Sequence, residues 1–164
     1  MTTIDPIYVG RDAVQQLVQY SAAQHLSRFA LVADANTYEA LGERVERALT
    51  ASGSDVTRIV LTGDDIIADE RYLVETLLRA PLGDCTFLAV GSGTLTDITR
   101  FVSHRSGRAF ISLPTAPSVD GFTSIGAPLV LRGVKRTITE QSPVALFADL
   151  ETLMHAPRRL IAAG

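Results

Sequence analysis

The sequence is poor in the features that would place it in several large classes. It has one cysteine, Cys85, so a disulfide framework is excluded. Set in the apolar run Cys85-Thr86-Phe87-Leu88-Ala89-Val90, that thiol reads as a buried structural group. No apolar stretch reaches the length of a membrane span. The opening Met-Thr-Thr-Ile-Asp-Pro has neither the charged nor the apolar region of a signal peptide, so the cytoplasm is the default compartment. Clustered basic charge is also missing. The 15 Lys and Arg are scattered among 18 Asp and Glu, for a net charge of −3, which argues against nucleic acid or an acidic membrane as partner. There are no internal repeats and no low-complexity tract.

What is present describes one folded domain. Over 164 residues, 46% are hydrophobic and 20% charged, enough to bury roughly 70% of the unfolded surface. Apolar runs alternate with amphipathic stretches. Residues 7–10 form a brief extended start, and Ala13, Leu17, Val18, Tyr20 and Ala23 give a helical face over about 11–25. Residues 28–33 read as a buried strand. Asn36 or Thr37 is placed to cap the next helix, which carries Tyr38, Leu41, Val45 and Leu49. Residues 56–61 are the second strand of this series, and a helix bearing Leu73, Val74, Leu77 and Leu78 stops at Pro81. Strands at 85–90 and 109–113 flank a helix running from near Gly93 to about 106. This rhythm predicts an α/β fold, a Rossmann-like parallel sheet with helices on both faces. Beyond Pro114 it gives way to a polar loop, a β-hairpin across 129–139 with Gly133 in its turn, a strand at 144–148 and two short helices separated by Pro157.

The chain organises itself around Val90-Gly91-Ser92-Gly93-Thr94-Leu95-Thr96-Asp97-Ile98-Thr99-Arg100. A buried strand that ends in glycines and opens into a helix offers backbone N–H groups and a positive dipole end to an anion. An exposed helix end contributes only about 0.3–1 kcal/mol, so several loop N–H bonds are needed to hold a pyrophosphate. No Gly-Lys-Ser/Thr follows, which excludes a Walker loop, and the third glycine of the common Rossmann fingerprint is lacking.

Ligands of an open parallel sheet bind beyond the C-terminal strand ends. There lie Asp34, the 91–93 glycines, and the loop from Thr115 to Ser124. Asp34 is either a turn or helix-capping carboxylate or an acceptor for both ribose hydroxyls of an adenosine, in which case it disfavours a 2′-phosphate and hence NADP. Thr115 and Ser118 either bond within their loop or serve a phosphate or ribose. Asp120 is a turn former or a substrate-facing carboxylate, and Asp64-Asp65 reads as a solvated turn. His25, His104 and His155 sit on separate predicted helices without paired metal-ligand spacing.

Three segments together resemble one family: Gly-Ser-Gly-Thr-Leu-Thr-Asp at 91–97, Pro-Thr-Ala-Pro-Ser-Val-Asp-Gly-Phe-Thr-Ser at 114–124, and Ala-Pro-Arg-Arg-Leu-Ile-Ala-Ala-Gly at 156–164. They are similar to the sn-glycerol-1-phosphate dehydrogenases, the bacterial arabinose-operon type above all. That family belongs to the iron-containing alcohol dehydrogenase, glycerol dehydrogenase and dehydroquinate synthase superfamily. The likeness starts near Ile7 and takes in Ala33-Asp34-Ala35-Asn36-Thr37-Tyr38. It implies a dehydroquinate synthase-like N-terminal domain that binds NAD or NADP, and a helical second domain with a zinc or nickel site. It also implies reduction of dihydroxyacetone phosphate to sn-glycerol 1-phosphate.

Carried over by position, Asp34 holds the adenosine ribose, with NAD favoured. Gly93, Thr94, Leu95, Thr96 and Asp97 line the pyrophosphate. Thr115, Ala116, Pro117, Ser118 and Ser124 flank the cofactor, and Asp120 touches the phosphorylated triose substrate. The family's metal ligands, an aspartate soon after the Ala-Ala-Gly and two histidines, are expected beyond Gly164 and so fall outside this sequence. The expectation is therefore a nucleotide-binding domain at 1–148 and the start of a truncated helical domain at 149–164. Alone it should bind nucleotide weakly without turnover, and an apolar patch within 125–164 should favour a homo-oligomer. Three alternatives remain: a glycerol or polyol dehydrogenase of the same fold, dehydroquinate synthase activity, and a stand-alone nucleotide-binding module.

Overall fold

A computed structural model describes residues 4–118 and 121–163. Six strands form one parallel sheet: β1 (Ile7–Gly10), β2 (Arg28–Asp34), β3 (Asp55–Leu61), β4 (Thr86–Gly91), β5 (Phe110–Pro114) and β8 (Ala145–Asp149). Their order across the sheet is β1-β8-β5-β4-β2-β3. A separate antiparallel hairpin pairs β6 (Gly126–Leu131) with β7 (Val134–Thr139). Its turn residues Arg132 and Gly133 both have positive φ, as a two-residue turn matched to strand twist requires.

The helices are α1 (Ala13–Ala23), α2 (Ala35–Thr37), α3 (Glu43–Ala51), α4 (Glu70–Arg79), α5 (Gly93–Arg105), α6 (Leu150–Met154) and α7 (Arg158–Ala163). A wide turn of π-helix over Tyr38–Gly42 joins α2 to α3. The Tyr38 ring lies where a Cβ on Gly42 would sit, 2.8 Å from ring atom Cδ2, so the glycine makes room for the aromatic ring.

The expected alternation of strand and helix is therefore present, with one sheet and two covered faces. Along β2 the side chains alternate between them. Phe29, Leu31 and Ala33 join Leu17, Leu41, Val45 and Leu49 under α1 and α3. Ala30 and Val32 join Leu73, Leu95, Ile98 and the hairpin's Ala127 and Leu129 on the opposite face. A strand buried on both sides must be a continuous apolar run, and for that reason Phe-Ala-Leu-Val-Ala carries no polar residue. Full burial of one such Phe, Leu or Val side chain contributes about 1.5–3 kcal/mol.

Two details differ from the sequence reading. The cap of the helix after β2 is Asp34, in keeping with the capping alternative for that carboxylate, and not Asn36 or Thr37. The backbone leaves β2 extended at Asp34, so its carboxylate reaches the Thr37 N–H, and Thr37 Oγ1 accepts the Asp34 N–H in return. His25 lies in a left-handed turn after α1 rather than on the helix.

Strand order decides where a ligand can go. After β2 the chain adds β3 at one edge, and after β4 it adds β5 toward the other edge, with β2 and β4 paired side by side. Helices α3 and α5 therefore leave on opposite faces and open a crevice between Asp34 and Ser92. That reversal point is the expected ligand position of a doubly wound sheet.

Candidate functional site

A cleft of about 1320 Å³ runs over the C-terminal strand ends. One wall is the turn Asp34–Thr37, and a second is Thr62–Ile66 after β3. The floor holds Ser92, Thr94, Leu95, Thr115 and Ala116, and the far wall comes from Glu151, His155 and Arg159 around α6 and α7. The loops after β4 and β5 are tied together where Thr115 N–H donates to Gly91 O at 3.3 Å.

Asp34 uses Oδ1 for its cap, 2.8 Å from the Thr37 nitrogen, and Oδ2 takes no part in that cap. The aspartate is thus at once a helix cap and a carboxylate facing the cleft. Across from it stands the start of α5. Helices α4 and α6 begin with aspartates, Asp69 and Asp149, that accept first-turn N–H groups. The α5 N-cap, Ser92, makes no such side-chain bond; only its carbonyl is engaged, by Thr96 N–H and Oγ1–H, both at 3.1 Å. The first turn of α5 thus has no side-chain cap and borders the cleft through Thr94 and Leu95, an arrangement suited to an anion.

A second, smaller cavity of about 180 Å³ lies on the other side of the α5 start. It is lined by Gly93, Thr96, Asp97 and Arg100 of α5 and by Gly121, Phe122 and Ser124 of the following loop. Asp97 is largely buried, and burial pushes its carboxyl up to about 6, although the Arg100 guanidinium 2.8 Å away and Lys135 pull in the other direction. Ser124 is exposed, and its Oγ accepts the Gly126 N–H at 3.1 Å.

The structure thus distributes the candidate residues over two adjoining spaces. Asp34, Thr94, Leu95, Thr115 and Ala116 line the large cleft, and Gly93, Thr96, Asp97 and Ser124 line the small cavity. Pro117 and Ser118 are half-buried and line neither. Asp120, the expected substrate contact, lies outside the described residues. So does Gly164, beyond which the resemblance puts the metal ligands. Asp64 and Asp65, read as a solvated turn, are exposed but stand on the cleft rim.

Sequence reasoning passed over two arginines. Arg44 of α3 lines the cleft and donates to Asp149 Oδ1 at 2.8 Å and Thr152 Oγ1 at 2.6 Å, linking α3 to the start of α6. Arg100 is 1% exposed and reaches across to the hairpin loop. The Asp97-to-Arg100 spacing of three on a helix was the available signal for the second. For the first there was none, because its partner is 105 residues away.

Among the described residues no group of three or more His, Cys, Asp or Glu side chains could hold a metal ion. No helix of the described residues is long and apolar enough to cross a membrane. Large apolar side chains are exposed at Ile125, Val134, Met154 and Ile161, and also along α4 at Val74, Leu77 and Leu78.

The fold is a doubly wound α/β sheet with an uncapped helix start facing a carboxylate at the reversal point. The chain belongs to the iron-containing alcohol dehydrogenase family, whose model matches residues 8–157. Among curated relatives it is 44% identical over 164 residues to glycerol-1-phosphate dehydrogenase [NAD(P)+] of Halalkalibacterium halodurans, covering 98% of this chain and 41% of the relative. It is 45% identical to the protein of that name from Geobacillus thermodenitrificans, covering 99% and 41%. The chain thus spans about two-fifths of the length of these relatives. Among solved structures, glycerol dehydrogenase of Schizosaccharomyces pombe superposes with a TM-score of 0.83 at 22% identity, over 99% of this chain and 43% of that one. A 2-deoxy-scyllo-inosose synthase gives 0.82 at 18% identity, over 94% and 46%. Those two likenesses establish the fold.

Proposed function

We propose that this chain is the dinucleotide-binding half of a glycerol-1-phosphate dehydrogenase, which reduces dihydroxyacetone phosphate to sn-glycerol 1-phosphate with NADH or NADPH. The observation that carries the reading is the opposition of Asp34 and the uncapped start of α5 across one cleft. Asp34 Oδ2 would accept from the adenosine ribose, and the N–H groups of Gly93, Thr94 and Leu95 would meet the pyrophosphate. Thr115 and Ala116 would form the floor beneath it. Four carboxylates line that end of the cleft, Asp34, Glu39, Asp64 and Asp65, which supports NAD over NADP because a 2′-phosphate there meets like charge. When bound, the dihydronicotinamide supplies the hydride that turns the ketone carbonyl into an alcohol, with a proton completing the hydroxyl.

The divalent metal implied by the resemblance does not fit the described residues, among which no three His, Cys, Asp or Glu side chains gather to hold a metal ion. In this reading residues 1–148 form the nucleotide-binding unit, and 149–164 belong to the helical part. The test is a titration of the 164-residue chain with NADH, followed by nicotinamide fluorescence. A saturable signal weakened by Asp34→Ala is expected, with no oxidation of NADH by dihydroxyacetone phosphate. A flat titration removes the reading.

A further inference from the structure

Residues at the start of α5 divide between two spaces. Ser92, Thr94 and Leu95 turn to the large cleft, and Gly93, Thr96 and Asp97 to the small cavity. In the dinucleotide reading above, with adenosine at Asp34 and pyrophosphate on this turn, the small cavity beside Gly93 is in reach of the other half.

One side chain holds the cavity's three chain segments together. Arg100 donates through Nη1 to Asp97 Oδ1 at 2.8 Å and to Gly126 O at 2.7 Å, and through Nη2 to Gly121 O at 2.7 Å. The side chain is 1% exposed, and its Nε–H has no acceptor among the described residues. A buried guanidinium is costly, and an apolar residue would fill the space at least as well. What an apolar residue cannot do is hold two carbonyls and a carboxylate in one plane; nor can lysine, a single point of charge. Charge-assisted bonds to all three fix the loop 121–126 against α5.

We propose that Arg100 is a positioning residue for the nicotinamide half of the cofactor: by gathering Asp97, Gly121 O and Gly126 O on one guanidinium, it holds the small cavity in the shape that receives the ring. The proposal rests on the dinucleotide reading above. It separates two ends of one ligand, so Arg100 governs the ring end and Asp34 the adenosine end.

The experiment titrates the 164-residue chain, wild type and Arg100→Lys, with NADH and with ADP-ribose, which lacks the nicotinamide. Circular dichroism confirms that each variant is folded, and Arg100→Gln, which removes the buried cation but keeps amide donors, serves if Arg100→Lys is not. The expected result is about a tenfold loss of NADH affinity, ADP-ribose affinity held within about twofold, and a changed emission of bound NADH. Equal losses for both ligands, or no loss for either, overturn the proposal. If Asp34→Ala weakens ADP-ribose while Arg100→Lys changes nothing, the dinucleotide reading stands and only the role of Arg100 falls. If the wild type binds neither ligand, both fall together.

Discussion

A Cβ placed on Gly91 would lie 2.3 Å from Leu95 Cδ1 and 2.8 Å from Leu95 Cβ, so Leu95 occupies the volume that the glycine leaves free. Gly91 is thus explained by the packing of α5 against the end of β4, and Leu95, buried in the core beneath α5, is its partner. Gly91→Ala should cost about 1–3 kcal/mol, as overpacked core substitutions do. Urea unfolding measures it. In a Leu95→Ala background the added cost should shrink, because the colliding side chain is gone; unchanged cost in the double variant would refute the pairing.

Asp34 carries two roles that a pair of substitutions separates. Asparagine is as good a helix cap as aspartate, so Asp34→Asn should leave thermal stability nearly unchanged, whereas Asp34→Ala should lose about 0.5–2 kcal/mol. The charge matters only to the ligand. Asp34→Asn should therefore raise NADPH affinity relative to NADH, read by parallel fluorescence titrations, and a constant ratio would count against a ribose at this carboxylate.

Asp97 makes stability depend on pH in the direction opposite to most carboxylates. Burial raises its folded pKa to about 6, above the unfolded value of about 3.9. The folded state then binds the proton more tightly, so this group's contribution grows as pH falls from above 6 toward 4, by at most about 2–3 kcal/mol. Asp97→Asn cannot titrate. The melting-temperature difference between wild type and Asp97→Asn should move in favour of the wild type across that interval, and a pH-independent difference would show that burial does not govern this carboxyl.

Asp149 behaves in the ordinary sense. Burial alone would raise its pKa, but hydrogen bonds from Arg44 and Thr152 together outweigh burial and hold it low. Its stabilisation is present above the unfolded carboxylate value near 3.9 and is lost as pH falls through the folded one. Arg44→Met leaves that carboxylate 1% exposed without its cation and should cost about 1–3 kcal/mol, moderated because Arg44 itself is half exposed. Adding Asp149→Asn should recover part of the loss in chemical denaturation; no recovery would mean the arginine acts through packing alone.

Periodicity and turn chemistry were enough to recognise the strands and helices, because a strand buried on both faces must be an unbroken apolar run, as at 29–33 and 87–91. The glycine-led turn at 91–93 and the loop after Pro114 were legible for a similar reason: local backbone demands leave their mark on adjacent residues. Which of Asp34, Asn36 and Thr37 caps the next helix was not, since it depends on the exact direction in which β2 ends.

Amino-acid order alone determined the α/β class, the candidate anion-facing turn and the carboxylate at Asp34. Tertiary structure decided that β2 and β4 lie side by side, so that two loops 58 positions apart share one cleft. It also decided that Arg44 holds Asp149 and that Arg100 holds the 121–126 loop. The reason is physical: periodicity reports what a segment buries, whereas strand order and long-range ion pairs arise only when separate segments compete for the same neighbours.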